Sequence, residues 1–434
     1  MDEARNQILP GVWLTCLRTD KFKNGVLSVS LLTRLCRENA AKNALIPSVL
    51  RRGTKRFPDM DALAARLDDL YGASIEPVVR KLGEIQSVGF AASFADDRFI
   101  PSGGTLLEDV AGLMGEMLLS PNTRGGLLLP QFVDSEREKL LEDIRARVND
   151  KISYSRYRLS ELMCVAEDYA VDASGTEDEA ESIGYVPLTR HYHELLAASP
   201  IEIFYVGSAS AERVESAMRE ALLALPRGEL DEDIGTDIRM NTLEAETRYF
   251  TEEMDVGQGK LCLGFRLGSC MEDPDIAAIR VMNAVFGGYA SSKLFMNVRE
   301  KLSLCYFASS GVDILKGVML VVSGIEFDKY DQALAEIFAQ LEAVKRGEIT
   351  DKELASAKAS VGSALLAAAD SDGALESFWL SQNVQGLEYG PEELAALVDD
   401  VTKADVIKAA QGVECDAVYF LKGTGHVEAE DDED

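Results

Sequence analysis

The chain repeats one order of structural elements, and this duplication constrains its fold more than any other feature. Gly53 follows an early helix pattern, and Gly287 follows a later one 234 residues further on. The same shift aligns the helix pattern DALAARLDDLY with KLFMNVREKL. It also aligns the strand patterns GASIEPVVRK and QSVGFAASF with YFASSGVDIL and VMLVVSGIEF. The sequence therefore predicts an α+β unit of roughly 200 residues that occurs twice.

A polar segment separates the two copies. Residues 226–245, PRGELDEDIGTDIRMNTLEA, are rich in turn residues and lack periodicity, as is typical of a linker. We therefore predict an N-terminal domain over 1–225 and a C-terminal domain over 246–425. Residues 426–434 follow as an acidic tail that is predicted to be disordered. Within the first domain, residues 9–18 and 25–35 predict a β-hairpin, since Asn24 and Gly25 form a turn signal.

Charge and hydropathy exclude several classes of protein. The net charge of −30 at pH 7 argues against binding to nucleic acid, which requires clustered Lys and Arg. No apolar run reaches the ~18 residues that span a bilayer, and the acidic N-terminus does not resemble a signal peptide. The seven cysteines form no paired spacing, and several lie in apolar runs. Free thiols and a cytoplasmic location are therefore predicted, without contact to membranes.

Histidine is scarce, which limits metal binding. The three histidines are His191, His193 and His426. A catalytic zinc site commonly takes two or three histidines. His191 and His193 are two residues apart, so they point to different sides of a helix and cannot hold one ion from it. We predict that both lie on a helix surface, and that the chain binds no metal of its own.

A polar pair is predicted at a junction between a helix and a strand. Arg299 lies near the end of the helix pattern LFMNVREKL, and Tyr306 begins a strand pattern seven residues later. A guanidinium and a phenol that come together can hold a peptide carbonyl or an oxyanion. The structural alternatives are an ion pair between Arg299 and Glu300, and a half-buried strand position for Tyr306.

The surrounding run, SSKLFMNVREKLSLCYFASSG, resembles the second-domain signature of the insulinase, or pitrilysin-type, zinc peptidases. That family includes mitochondrial processing peptidase and its bacterial relatives. Its pattern is a small residue, Ser-x-Leu-Phe, then Arg-Glu-Lys, then a tyrosine seven residues after the arginine. Arg299 and Tyr306 match this pattern. The resemblance implies two α+β domains, each with a mainly antiparallel sheet and helices on one face, related by a pseudo-twofold axis around a cavity.

The metal motif of that family, H-x-x-E-H, is degenerate in this chain. Its place before Gly53 is taken by ALIPSVLRRGT, so the two histidine positions are Ala44 and Ser48, and the glutamate position is Pro47. These residues supply neither an imidazole for zinc nor a carboxylate for its water. DSEREKLLEDI places Glu136 at the third ligand position. A lone carboxylate cannot hold catalytic zinc, so we interpret Glu136 as a helix-surface or interdomain residue.

The resemblance implies a role beside another chain. Some bacterial members of the family pair an active subunit that carries H-x-x-E-H with an inactive subunit that keeps the arginine and tyrosine. This chain is similar to the inactive kind, and so it is predicted to have no catalytic residue or cofactor. Its Arg299 and Tyr306 would position a peptide or protein substrate at the zinc of an active partner. LDDLYGASIEPVVRKLGEIQ and NDKISYSRYRLSELM are most similar to an inactive bacterial subset named for association with a modification of elongation factor P.

Two other functions are compatible with the sequence. The chain could be a non-enzymatic scaffold that binds peptides or proteins, including as a homodimer. It could also be an independent enzyme with another nucleophile. Ser48 occupies a histidine position, but no histidine is placed to activate it, which disfavours this last hypothesis.

Overall fold

The computed structural model describes residues 2–101, 104–268 and 276–424. The acidic tail 426–434, His426 and Cys270 lie outside these residues. The described strands are β1 Asp2–Leu9, β2 Val12–Arg18, β3 Asn24–Arg34, β4 Ser74–Leu82, β5 Ile85–Ala95, β6 Thr123–Arg124, β7 Leu127–Leu128, β8 Ile201–Gly207, β9 Arg248–Met254, β10 Gly259–Arg266, β11 Cys305–Asp313, β12 Val318–Ile325 and β13 Glu414–Gly423.

The α-helices described are α1 Ala40–Leu50, α2 Met60–Asp69, α3 Leu106–Leu119, α4 Pro130–Ala146, α5 Lys151–Met163, α6 Glu177–Glu181, α7 Tyr185–Ala198, α8 Ala211–Ala221, α9 Ile276–Asn283, α10 Tyr330–Lys345, α11 Asp351–Ala368, α12 Asp372–Gln385, α13 Pro391–Asp400 and α14 Lys403–Gln411. Two further segments, Ala284–Gly288 and Leu294–Lys301, are π-helical. Among the described residues, no helix combines the length and apolar character that a membrane crossing requires.

The two large sheets have the same topology. The first runs β1-β2-β8-β3-β5-β4, and the second runs β11-β12-β10-β13-β9. We number the strands of the first large sheet in chain order from β2, and those of the second from β9. Read from β4 in the first sheet and from β11 in the second, the spatial order in both is third, fourth, second, fifth, first. In each sheet the fifth strand pairs in parallel with the first, and the other pairs are antiparallel. The duplication predicted from the sequence is therefore present, and the α+β class with mainly antiparallel sheets is confirmed.

The predicted hairpin between residues 9–18 and 25–35 is wrong. The hairpin that forms joins β1 and β2 instead, and β8 lies between β2 and β3. Strand β3 is bonded on both sides, to β8 and β5, and its middle is buried throughout. The local turn signal at Asn24 was outweighed by pairing with a strand that follows more than a hundred residues later.

The chain forms two compact units that are not contiguous in sequence. The first unit comprises the described residues of Met1–Ala146, Val171–Thr236 and Ala368–Glu388, and the second those of Arg147–Ala170, Asp237–Ala367 and Tyr389–Asp434. These units differ from the domain bounds 1–225 and 246–425 in two segments. The segment that contains α5 belongs to the second unit, and the segment that contains α12 belongs to the first.

In each unit, most helices cover one face of the sheet. The other face is covered by α12 in the first unit and by α5 in the second. In the first unit, alternate residues of β3 face opposite ways. Leu27 and Val29 join the core with α1, α3, α7 and α8, while Val26 packs with Leu375 and Trp379 of α12. In the second unit, Phe265 of β10 contacts α10 through Phe338, whereas Cys262 and Tyr419 form a cluster with α5.

A buried ion network fixes the end of the α5 segment to the second sheet. The fully buried guanidinium of Arg266 donates from Nη2 to Glu167 Oε1 at 2.6 Å and from Nε to Asp416 Oδ2 at 2.8 Å. Lys316 Nζ lies 2.8 Å from Glu167 Oε2. Burial opposes ionisation of Glu167, but the hydrogen bonds from Arg266 and Lys316 outweigh it and hold its pKa below the usual value. Buried charges require this kind of mutual pairing.

Candidate functional site

The degenerate metal motif lies on α1, a helix that is buried almost all round because ALIPSVL is nearly continuously apolar. Ala44 and Pro47 are buried, and Ser48 is half-buried. After the helix, Gly53 permits a close approach, because a Cβ there would lie 2.6 Å from the carbonyl oxygen of Pro58. The three motif positions offer one hydroxyl and no imidazole or carboxylate.

Glu136 is not a helix-surface residue, which corrects that part of the interpretation from the sequence. Its side chain is only 7% exposed on α4, inside the first unit. Arg52 donates from Nη1 to its Oε1 at 3.1 Å, and Lys139 Nζ lies 3.5 Å from its Oε2. The guanidinium also lies over the ring of Phe132, 5.6 Å from its centroid. Glu136 therefore helps to join α4 to the end of α1, which packs against it.

A buried polar cluster beside α1 was missed from the sequence. Asn43 is fully buried, and its amide nitrogen donates to Gln86 Oε1 at 2.8 Å. His191 Nε2 lies 2.6 Å from Asn43 Oδ1, so the surface position predicted for His191 is wrong, whereas His193 is exposed as predicted. Burial, together with the charge of Lys42, lowers the pKa of His191 below its usual value. The neutral imidazole of His191 is hydrogen-bonded within a cluster of buried amide side chains, so its role is structural. No set of metal ligands remains around Ala44.

Zinc does not fit the residues at the motif positions. The one carboxylate, Glu136, already has Arg52 and Lys139 as partners. Zinc needs several nitrogen, sulfur or carboxylate ligands around one point. Within residues 2–101, 104–268 and 276–424, no group of three or more His, Cys, Asp or Glu side chains could hold a metal ion. No step of a mechanism in this chain is therefore assigned to a metal.

Arg299 lies in the π-helical segment Leu294–Lys301 of the second unit, which Leu294 and Val298 anchor in the core. Its side chain is 41% exposed. Its Nε lies 3.6 Å from Glu300 Oε1, and its guanidinium lies 4.6 Å from the ring centroid of Phe295. The ion pair with Glu300 that the sequence offered as an alternative is thus present. An exposed pair at this distance is weak, so it leaves the guanidinium able to change partners.

Tyr306 is the extra residue of a β-bulge at the start of β11. Cys305 pairs with Ile325 and Phe307 pairs with Gly324, so Tyr306 has no opposite residue. Bulges of this kind redirect a side chain, and Tyr306 is 59% exposed instead of half-buried. Its hydroxyl donates to Glu326 Oε1. This hydrogen bond and the charge of Glu326 raise the pKa of Tyr306 above its ordinary value.

The helix-to-strand junction predicted around these residues is present, since the helical segment ends at Lys301 and β11 begins at Cys305. Arg299 and Tyr306 interact with different exposed carboxylates, Glu300 and Glu326. They are polar groups on one short stretch of chain, and both are accessible. The motif of Arg299 and Tyr306 could be predicted from its residue types and spacing. The bulge and the contact with Glu326 could not be predicted from the sequence.

Two units with one strand order, a helix on which all three residues of the metal motif are replaced, and an exposed arginine and tyrosine define an insulinase-type peptidase that has lost its catalytic residues. The comparisons agree. Residues 187–361 match the family model described as the Peptidase M16 inactive domain. A protein of Bacillus subtilis (strain 168), named probable inactive metalloprotease YmfF, is 33% identical over 416 residues, which cover 95% of this chain and 96% of that protein.

The chain therefore belongs to the M16 peptidase family, as a non-catalytic member, and the predicted resemblance is confirmed. Solved structures agree on the fold. A conserved protein from Enterococcus faecalis V583 superposes with a TM-score of 0.87 at 28% identity, over 98% of this chain and 99% of that one. A peptidase M16 inactive domain from Pseudomonas fluorescens superposes with a TM-score of 0.79 at 16% identity, over 98% of each chain.

Proposed function

We propose that the chain is the non-catalytic subunit of a two-chain M16 peptidase, and that Arg299 and Tyr306 position the peptide substrate at the zinc of an active partner. The observation that carries this proposal is that both side chains are accessible to a ligand. Arg299 and Tyr306 are exposed donors whose present partners are surface acids. A substrate carbonyl or oxyanion could replace those acids without leaving a buried group unpaired.

The loss of the chain's own metal ligands supports a division of labour. Ala44, Pro47 and Ser48 provide no zinc site, so Arg299 and Tyr306 have no zinc of their own chain whose reaction they could assist. The required zinc belongs, in this proposal, to a partner that carries H-x-x-E-H. The proposed location of the complex is the cytoplasm.

Reconstitution with an M16 relative that has an intact H-x-x-E-H motif tests the proposal. The complex should cleave a peptide library faster than either chain alone. Tyr306→Phe in this chain should then lower kcat by about a hundredfold, the usual effect of removing one oxyanion donor. Lys301→Gln serves as the matched control, since Lys301 is a nearby exposed cation outside the pair, and it should leave kcat/KM unchanged.

The scaffold hypothesis makes the opposite prediction. A stable homodimer that binds peptides equally well with Arg299→Ala and Tyr306→Phe, and that forms no complex with an active relative, would replace the subunit proposal. Size-exclusion chromatography with light scattering and peptide-binding titrations on the same variants separate the two.

A further inference from the structure

The first unit contains a pocket of about 160 Å³ where the segment after α1, the hairpin of β6 and β7, and α7 come together. A water molecule needs about 10–15 Å³ of such space, so the pocket has room for a ligand of several heavy atoms. Three lining residues are apolar, and the others are Lys55, Thr123, Gly126, Thr189, Tyr192 and His193.

Backbone hydrogen bonds fix the wall that carries Lys55. The N–H of Lys55 donates to the Ser120 carbonyl at 3.0 Å, and the N–H of Asn122 donates to the Gly53 carbonyl at 2.9 Å. These bonds join the residues that follow α1 to the chain that leads from α3 into β6. Lys55 is therefore held by its backbone, while its side chain is exposed.

Two side-chain hydrogen bonds fix α7 to the same region. The N–H of Leu128 donates to Thr189 Oγ1 at 3.0 Å, and the Tyr192 hydroxyl donates to the Leu118 carbonyl at 2.6 Å. Gly126, in the turn between β6 and β7, has a φ of 81° and contributes only backbone to the lining. The pocket is thus built on hydrogen bonds that leave Lys55 Nζ and His193 unused.

The charge of this pocket is unusual for the chain. Among the residues that the structure describes, its ionisable lining groups are Lys55, His193 and Tyr192, with no carboxylate. The whole chain, by contrast, carries 74 Asp and Glu against 44 Lys and Arg. A larger groove of about 440 Å³ between α3 and α8 has a described lining with four carboxylates and no cation. Two cavities of one unit therefore favour ligands of opposite charge.

Three donors in the lining have no acceptor within the protein. Within residues 2–101, 104–268 and 276–424, the Lys55 ammonium has no hydrogen bond or ion pair, and the Thr123 hydroxyl has no hydrogen bond. The His193 imidazole has no hydrogen bond in this part of the chain either, and its ring centroid lies 4.9 Å from that of Tyr192. Each group can therefore donate to a ligand without giving up an internal hydrogen bond.

We propose that this pocket binds the phosphate group of a small molecule, with Lys55, Thr123 and His193 as donors. A phosphate presents several strong acceptor oxygens around one centre, which suits an ammonium, a hydroxyl and an imidazole from three separate segments. A carboxylate has only two oxygens in one plane and suits such a set less well. The proposal does not depend on Arg299 and Tyr306, which belong to the other unit.

Binding to the full-length protein tests the proposal. The probes are inorganic phosphate and glycerol 3-phosphate, with acetate as the carboxylate control, all at neutral pH and one ionic strength. Because the chain has three histidines, NMR can resolve their imidazole C–H signals, and the signal missing from His193→Gln is that of His193. We expect saturable binding of one phosphate probe per chain that shifts the His193 signal, with the Kd measured by calorimetry.

Variants of the lining should lower this affinity in a set order. Lys55→Gln should weaken phosphate binding at least about tenfold, because it removes a hydrogen bond from a charged donor. Thr123→Val and His193→Gln should each weaken it about threefold or more, as expected for uncharged donors. Arg124→Gln is the matched control and should bind like the wild type, because Arg124 is an exposed cation of the same hairpin outside the pocket lining.

The two phosphate probes distinguish the source of the ligand. Tighter binding of glycerol 3-phosphate would identify a phosphomonoester, and tighter binding of inorganic phosphate would identify the free ion. The proposal fails if neither probe binds at millimolar concentration, or if acetate binds as tightly as either. It also fails if Lys55→Gln binds like the wild type. Equal losses in Arg124→Gln and Lys55→Gln would overturn it as well, since a general attraction to surface cations would then explain the binding.

Discussion

Both units contain carboxylates that contact a cation or a phenol. The contacts in the first unit and those in the second differ chiefly in how deeply they are buried. In the first unit, Glu136 is 7% exposed and holds Arg52. In the second, Tyr306 is 59% exposed where it meets Glu326, and Arg299 is 41% exposed beside Glu300. A buried pair cannot lose one member without leaving a desolvated charge, whereas an exposed pair can exchange its partner for water or a ligand. The contact of Glu136 is thus structural, whereas the contacts of Arg299 and Tyr306 can exchange partners.

The largest effect is expected at Arg266. This residue tests whether burial, or the unit to which a residue belongs, determines how much an ion pair contributes to stability. Arg266 lies in the same unit as Arg299 but is fully buried between Glu167 and Asp416. Arg266→Met should lower the free energy of unfolding by about 3–5 kcal/mol, because Glu167 and Asp416 each lose a buried counter-charge. Lys316 stays beside Glu167, and Arg248 stays beside Asp416. Urea denaturation measures this loss. A loss as small as that of an exposed pair would mean that burial does not distinguish the two sets.

Arg52→Gln should have the next largest effect and lower the free energy of unfolding by about 2–3 kcal/mol. This loss is smaller than that expected at Arg266, because Arg52 is 26% exposed and Glu136 keeps Lys139 as a partner. Lys139→Gln, the control at the same carboxylate, should cost no more than about 0.5 kcal/mol. The double variant Arg52→Gln with Glu136→Gln should recover part of the loss, since it removes the unpaired charge. Equal losses for Arg52→Gln and Lys139→Gln would show that the two cations do not differ in their role.

Tyr306→Phe and Arg299→Gln should leave the free energy of unfolding nearly unchanged, because both side chains are exposed. Chemical denaturation of the single variants gives the values. This result would separate any loss of peptidase activity in the reconstituted complex from a loss of folding. A destabilisation comparable with that of Arg52→Gln would instead assign these residues a structural role.

The smallest effect is a shift in titration. Glu326 raises the pKa of Tyr306 above its ordinary value of about 10. The contribution of this hydrogen bond to stability is therefore complete below pH 10 and is lost as the pH rises through the higher pKa of the folded protein. Tyrosinate absorbance, taken as the difference from Tyr306→Phe, reports that pKa. In Glu326→Gln it should return towards 10, and an unchanged value would mean that Glu326 does not hold the hydroxyl.

Part of this structure could be predicted because it depends on local pattern. The shift of 234 residues correctly paired the strands β4 and β5 with β11 and β12, since each pair is a neighbouring antiparallel ladder. The spacing of Arg299 and Tyr306 was sufficient to predict a junction between a helix and a strand. The loss of ligands at Ala44, Pro47 and Ser48 follows from residue chemistry alone.

Other features depend on contacts between distant segments. The wrong hairpin arose because β8, far along the chain, pairs between β2 and β3. Helix α12 buries Glu376 against Ser28 and Arg80, and no periodicity within α12 indicates that its partner is a strand almost 350 residues earlier. The same holds for Glu136, because its helix pattern is that of a solvated face until Arg52 is brought to it.

The sequence by itself determined the duplication, the α+β class, the absence of a metal motif and the presence of an arginine and a tyrosine at a set spacing. These properties reside in residue type and in short-range order. Only the tertiary structure decided that helices α5 and α12 join the units they do not follow in sequence, that Glu136 is buried against Arg52 and that Tyr306 is displayed on a bulge. Burial and pairing are properties of surfaces that meet, and these surfaces come from segments far apart in the chain.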